Sequence, residues 1–251
     1  MKKNFKFASI ALVALLASCN GSTITKDKAT EVAKGITKYQ ADNASDLYKD
    51  GIHLVLNSKT TEGKDYATTK TEFWVNEGSH FLHMVSVTEQ SEEGKTSSNK
   101  TEAYFGQIDS KFYSINAVEK KYVEYNSLSV FEIAYKTACT AAMAVFNVYA
   151  SGTALEANIA TDTNEDNPFI YKSKGEGHLY IESNESEKDE EKNTSEKGRS
   201  VYIFDNYRFV SLSINLEEVE EDIKTITVGS IKVDYKVSAR MPSLNGLTKN
   251  N

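Results

Sequence analysis

The chain has 251 residues, a formal net charge of −7 and two cysteines. An acidic balance without a basic stripe excludes nucleic acid as a partner, and two cysteines exclude a disulfide framework. A chain of this length suits one large β-rich domain, for which roughly 200 to 250 residues is ordinary.

The N-terminus carries Lys2, Lys3 and Lys6, then an apolar run from Phe7 to Leu16, then the small residues Ala17 and Ser18 before Cys19. That three-part pattern is an export signal, and its apolar run is too short for a membrane span of about 20 residues. Leu16-Ala17-Ser18-Cys19 resembles a bacterial lipobox. The resemblance implies acylation of the Cys19 thiol and removal of residues 1–18 as a signal peptide. It leaves 19–25 as a lipidated tether and 26–251 as a single body, in the cell envelope at the extracytoplasmic face of a bacterial membrane. Losing Lys2, Lys3 and Lys6 takes the charge from −7 to −10. An anionic bilayer repels such a body, so the acyl chains must do the holding, and two chains suffice where one is marginal. The alternative is an ordinary secretory signal in which Cys19 is incidental.

Along the body, Val32, Ala33, Ile36, Tyr39 and Asn43 fall at helical spacing between Thr25 and Ala44, with Thr25 as N-cap and Asp27 in the first turn. From Gly51 to Tyr125 the period changes to two, through Ile52, Leu54 and Leu56, then Phe73 and Val75, then Phe81 to Val87, then Tyr104 and Phe112 to Ile115. Turn signals at Glu62-Gly63-Lys64, Asn76-Glu77-Gly78, Glu92-Glu93-Gly94 and Asp109-Ser110 separate these runs and predict an antiparallel meander. Ser127 to Ala150 leaves hardly any polar face, which predicts a helix buried all round with Cys139 as a small core residue. A second strand set follows, including Phe169 to Ser173, Gly177 to Glu182, Val201 to Phe204, Phe209 to Leu216 and Ile231 to Ala239. The acidic runs Glu185 to Glu196 and Glu217 to Asp222 read as solvated hairpin tips or connectors.

Tyr202-Ile203-Phe204-Asp205 leading into Phe209-Val210-Ser211, then Ile231-Lys232-Val233-Asp234-Tyr235 and Met241-Pro242, in this order of helix, strands, helix, strands, resembles the lipoprotein-carrier superfamily of LolA, LolB, LppX and LprG. The resemblance implies an α+β fold: a strongly curved antiparallel sheet forming an incomplete, half-open barrel. The N-terminal helix and the central apolar helix would cover its concave face, and a cavity for acyl chains would lie beneath them. Phe131, Met143, Phe146 and Tyr149 are then the expected wall or lid residues.

Catalytic chemistry is not written in the chain. His80 and His83 have a metal-like spacing, but on a strand they point to opposite faces, while His53 and His178 stand alone. There is no Gly-x-Ser-x-Gly elbow, no phosphate loop and no paired-cysteine spacing. The expectation is therefore no catalytic residue, no metal and no cofactor. Two readings follow: a lipid-binding module anchored to a membrane, or an interaction lipoprotein whose fold has a filled core. Cavity volume separates them.

Overall fold

The computed structural model describes residues 21–44, 47, 49–163, 168–189, 194–220, 223–235 and 240–250. The expected signal peptide and Cys19 lie outside the described residues. In chain order the elements are β1 (Ser22–Ile24), α1 (Lys26–Asp42), β2 (Ile52–Glu62), β3 (Asp65–Asn76), β4 (Phe81–Glu92), β5 (Lys95–Ile108), β6 (Lys111–Asn116) and β7 (Lys121–Tyr125). Then come α2 (Leu128–Ala150), α3 (Gly152–Ala160), β8 (Ile170–Ser173), β9 (Leu179–Asp189), β10 (Thr194–Asp205), β11 (Arg208–Glu220), β12 (Ile223–Tyr235) and β13 (Thr248–Lys249).

The strands make one open 13-stranded sheet in the order β1-β8-β9-β10-β11-β12-β2-β3-β4-β5-β6-β7-β13. Two meanders, β2 to β7 and β8 to β12, join side by side through the β12–β2 pair. The last pair, β13 on β7, is parallel. The fold class is α+β, with a large apolar cluster between the helices and one face of the sheet, the helix face, and a smaller cluster of Tyr180, Val201 and Ile203 with Val210.

α1 forms where the capping pattern places it. The Thr25 side chain accepts from the Lys28 amide at 3.3 Å, and the Asn43 side chain donates to the Tyr39 carbonyl at 2.9 Å. Its buried stripe is Ala29, Ala33 and Ile36, whereas Tyr39 is 39 % exposed. Ser22–Ile24, expected within the tether, is instead strand β1, paired antiparallel with Tyr171–Ser173. Its Ile24 reaches the core and an unpaired edge of β8 supplies backbone partners, so these residues gain more as strand than as free chain. The folded body begins three residues after Cys19.

The expectation of a central helix buried all round is overturned. Phe131, Tyr135, Cys139, Phe146 and Ala150 are buried, but Ile133 is 71 %, Val148 60 % and Val130 54 % exposed. The sheet covers one side of α2, and apolar composition alone does not say which side has a neighbour. The arms Leu128–Thr140 and Met143–Ala150 are bent by 53° to each other, and among the described residues no single helix is long and apolar enough to cross a membrane. α3 was not foreseen. It starts because the Ser151 side chain accepts from the Ala154 amide at 3.0 Å, capping a new helix one residue after α2 ends. Gln40 ties the joint to α1: its amide donates to the carbonyls of Ala150 (3.2 Å) and Tyr207 (2.9 Å), and its carbonyl accepts from Gly152 N–H at 2.8 Å.

Strands β2 to β5 and β9 to β12 run 11 to 14 residues, longer than the apolar alternation predicts. Their outer halves are mostly polar, with Leu216, Val219, Ile223, Ile226 and Val228 as apolar members, and are joined by hydroxyl pairs such as Thr60–Thr227, Thr69–Thr88 and Thr71–Ser86. The acidic runs expected as connectors are largely strand here, in β9 to β11; residues 190–193 and 221–222 lie outside the described residues. A sheet half with water on both faces needs no hydrophobic alternation, only cross-strand pairs.

Candidate functional site

The four residues expected to wall a cavity separate. Phe131 is fully buried, stacked on Phe112 (4.8 Å between centroids) and edge-on to Tyr125 (5.4 Å). Phe146 is also fully buried, edge-on to Phe209 at 6.4 Å. Both are core residues, because they lie on the side of α2 that meets the sheet: Phe131 packs among Phe112, Tyr125 and Tyr135, and Phe146 meets Phe209, which packs on Tyr202 and Phe204. Met143 is partly buried against the same cluster. Tyr149 lines a cleft. Cys139 is buried and burial pushes its thiol up, which leaves it an unreactive packing residue.

That cleft, of about 180 Å³, lies on the helix face where α2 ends and the uncovered halves of β11, β12, β2 and β3 begin. Leu56, Leu212, Ile214 and Ile231 form its walls with Tyr149, and Gly229 leaves depth where any side chain would fill it. On the adjacent strand β10, Tyr202 is the register partner of Leu212, and its hydroxyl is buried without a hydrogen-bond partner among the described residues. A larger open groove of about 800 Å³ runs between α1 and the segment 173–177, lined by Ile24, Val32, Gly35, Tyr39 and Tyr207 with Lys28, Glu31, Lys38 and Asp42 around it. Tyr39 and Tyr207 stack there at 4.0 Å. Gly177 is obligatory at that point, since its φ is +72° and a Cβ would come within 2.8 Å of the Tyr207 ring.

The opposite face of the sheet holds an arrangement that sequence reading missed. His53, Trp74, His83 and Tyr104, on four adjacent strands, stack as a ladder with centroid separations of 4.4, 4.5 and 3.9 Å. His53 therefore does not stand alone. Its Nε2 meets Glu72 at 3.0 Å, and His83 Nε2 meets Glu102 at 3.2 Å, while Lys70 and Lys100 neutralise the two carboxylates. Each ladder residue alternates with a helix-face residue of its strand, such as Leu54, Val75 and Leu82, so the even register was the available signal. His80 sits in the turn before β4, 3.5 Å from Glu132, and His178 Nδ1 accepts from the Lys174 amide at 3.2 Å. Among the described residues no group of three or more His, Cys, Asp or Glu could hold a metal ion.

The ladder makes stability depend on pH. Burial lowers the His83 pKa from 6.5, opposed by Glu102, so the unfolded chain takes up that proton first; its contribution is complete above 6.5 and fades below. Hydrogen bonds from Lys100, then Tyr104 and His83, hold Glu102 at about 2 against an ordinary 4.5, so its contribution is complete above 4.5 and is lost as pH falls towards 2. Trp74 is the single tryptophan, and a protonated imidazole stacked on indole quenches it. The part of the Trp74 emission change that His83→Gln removes should therefore have its midpoint below the ordinary imidazole value, together with the urea midpoint. A His83→Gln variant whose emission keeps that step unchanged would assign it elsewhere.

No protein-family model matches the chain, and no characterised protein matches it in sequence. Among solved structures, the S-type phycobiliprotein lyase CPES from Guillardia theta is similar at 5 % identity and a TM-score of 0.18, covering 78 % of this chain and 92 % of that one. A likeness of that size carries no argument about activity.

Proposed function

We propose that the chain is an envelope lipoprotein, held at the extracytoplasmic face of a bacterial membrane by acyl groups on Cys19, whose body binds an apolar acyl ligand on the helix face of its sheet. In this reading the open sheet is a strongly curved, half-open barrel of the LolA-like kind, with α1 and α2 over its concave side. The supporting observation is the cleft beside Tyr149, walled by Leu56, Leu212, Ile214 and Ile231 at the centre of the sheet. The exposed Ile133 and Val148 add apolar surface on the same helix. No catalysis, metal, cofactor or nucleic acid enters the proposal.

A cleft of about 180 Å³ is below the roughly 300 to 1,000 Å³ of drug-sized sites, so it suits one chain rather than a whole diacyl lipid. The test is metabolic labelling with radioactive palmitate in a bacterial host, followed by membrane fractionation and solvent extraction of the purified protein. Labelling that disappears in Cys19→Ala, with an extracted acyl ligand, is the expected result. Labelling of the Cys19→Ala protein would remove the anchor from the proposal.

One observation favours a second reading, an interaction lipoprotein without a small ligand: the space beneath α2 is filled by Phe131 and Phe146. Extraction that yields no lipid from a labelled, membrane-bound protein would select it.

A further inference from the structure

The cleft beside Tyr149 is part of a continuous row across the sheet. Leu212, Ile231, Leu56 and Thr71 are successive register partners on β11, β12, β2 and β3, and all four line it. The next member of the row, on β10, is Tyr202, the register partner of Leu212. Five strands at about 4.8 Å span roughly 19 Å, a row along which one extended chain can lie. The apolar members offer that chain no hydrogen bond. Tyr202 differs from them, because it is only 4 % exposed and its hydroxyl has no partner among the described residues.

An unsatisfied buried hydroxyl is destabilising unless something accepts from it. Other buried tyrosines have an acceptor nearby: Tyr171 donates to Asp162 at 2.7 Å, Tyr180 to Glu182, and Tyr135 to the Asn76 carbonyl at 3.4 Å. Tyr202 is set among Phe204 and Phe209, which offer none. Burial and then the neighbouring Tyr149 push its pKa up, so it remains a donor throughout the physiological range.

We propose that the cleft binds a single fatty acid, its hydrocarbon chain along the Leu212–Ile231–Leu56 row and its carboxyl group accepting a hydrogen bond from Tyr202. This rests on the acyl-binding reading above and adds to it the head group and the residue that reads it.

The test uses the full-length chain in phosphatidylcholine nanodiscs and two photoreactive probes with the same diazirine-bearing twelve-carbon chain. One is headed by a carboxylate, the other by trimethylammonium, which has no acceptor. Labelling is mapped to Leu56 and Ile214 by peptide mass spectrometry. Wild type should be labelled there by both probes. Gly229→Val should lose both, since a Cβ at Gly229 would meet only the Asn57 carbonyl oxygen at 3.9 Å and Ile214 Cβ at 4.0 Å, so valine fits the strand and fills the cleft. Tyr202→Phe should need about tenfold more of the carboxylate probe for half-labelling, with the ammonium probe unchanged within twofold. The Tyr202→Phe protein without probe should melt no lower than wild type.

An equal change for both probes, or none for either, would overturn the role of Tyr202 while leaving the acyl-binding reading standing. A lower melting temperature for Tyr202→Phe would show that the hydroxyl already has a partner, and would also overturn it. No cleft labelling of wild type by either probe would remove the acyl-binding reading itself.

Discussion

Phe131→Ala should lower the unfolding free energy by about 3 to 5 kcal/mol, the usual cost of emptying a fully buried aromatic site. Phe131 is the point where the start of α2 is fixed to the β6–β7 end of the sheet: it stacks on Phe112, meets Tyr125 edge-on and lies 5.8 Å from Tyr135 in the next helical turn. Against a total stability of 5 to 15 kcal/mol for an ordinary domain, the loss is a large fraction. Urea unfolding followed by far-UV circular dichroism measures it. A loss below about 1 kcal/mol would mean that the site collapses or opens, and would return Phe131 to the residues that wall a cavity. Phe146, equally buried, behaves in the same way, so Phe146→Asp is expected to unfold the protein rather than remove a ligand selectively.

Asp162→Ala should cost about 2 to 4 kcal/mol, because it strands two donors at once. Asp162 is 9 % exposed; its Oδ2 accepts from the Tyr171 hydroxyl at 2.7 Å and its Oδ1 from the Phe169 amide at 3.1 Å. Its backbone carbonyl also accepts from the Lys26 ammonium at the start of α1. The residue thus joins the end of α3, the start of β8 and the start of α1, the elements on which β1 is hung. Asp162→Asn keeps an acceptor of the same shape and should lose less than half as much in the same urea series. Equal losses for the two variants would show that the charge, not the hydrogen bonds, matters. In the proposed reading, in which Cys19 carries the acyl groups, a pull on that residue would pass into the β1–β8 pair that Asp162 holds.

The acid response of the ladder belongs to the other face and is independent of both. His83 and Glu102 lose their contributions in different windows, below 6.5 and between 4.5 and about 2, so acidification should weaken the protein in two stages.

Much of the architecture was legible in the sequence because local chemistry decides it. Thr25 opens α1 and Ser127 opens α2, and the period-two runs around Leu54, Val75 and Leu82 became strands of one meander. These features depend on neighbours within a few residues, and the same few residues are printed in order along the chain. The lipobox-like pattern at Leu16 to Cys19 is likewise a matter of contiguous residues, and it lies outside the described residues.

What only the tertiary structure decided is which surfaces have a neighbour. The sequence of α2 shows apolar residues on every side, and nothing local tells that Phe131 meets Phe112, some 19 positions away, while Ile133 meets water. β1 exists because β8, about 150 residues later, offers it an edge. The mostly polar outer halves of β9 to β12 are strands because their partners are strands. The His53–Trp74–His83–Tyr104 ladder and the Tyr202–Leu212–Ile231–Leu56–Thr71 row are created by strand register, which pairs residues far apart in the chain. Burial and register are properties of the assembled sheet, and a side chain acquires them only from residues that folding brings to it.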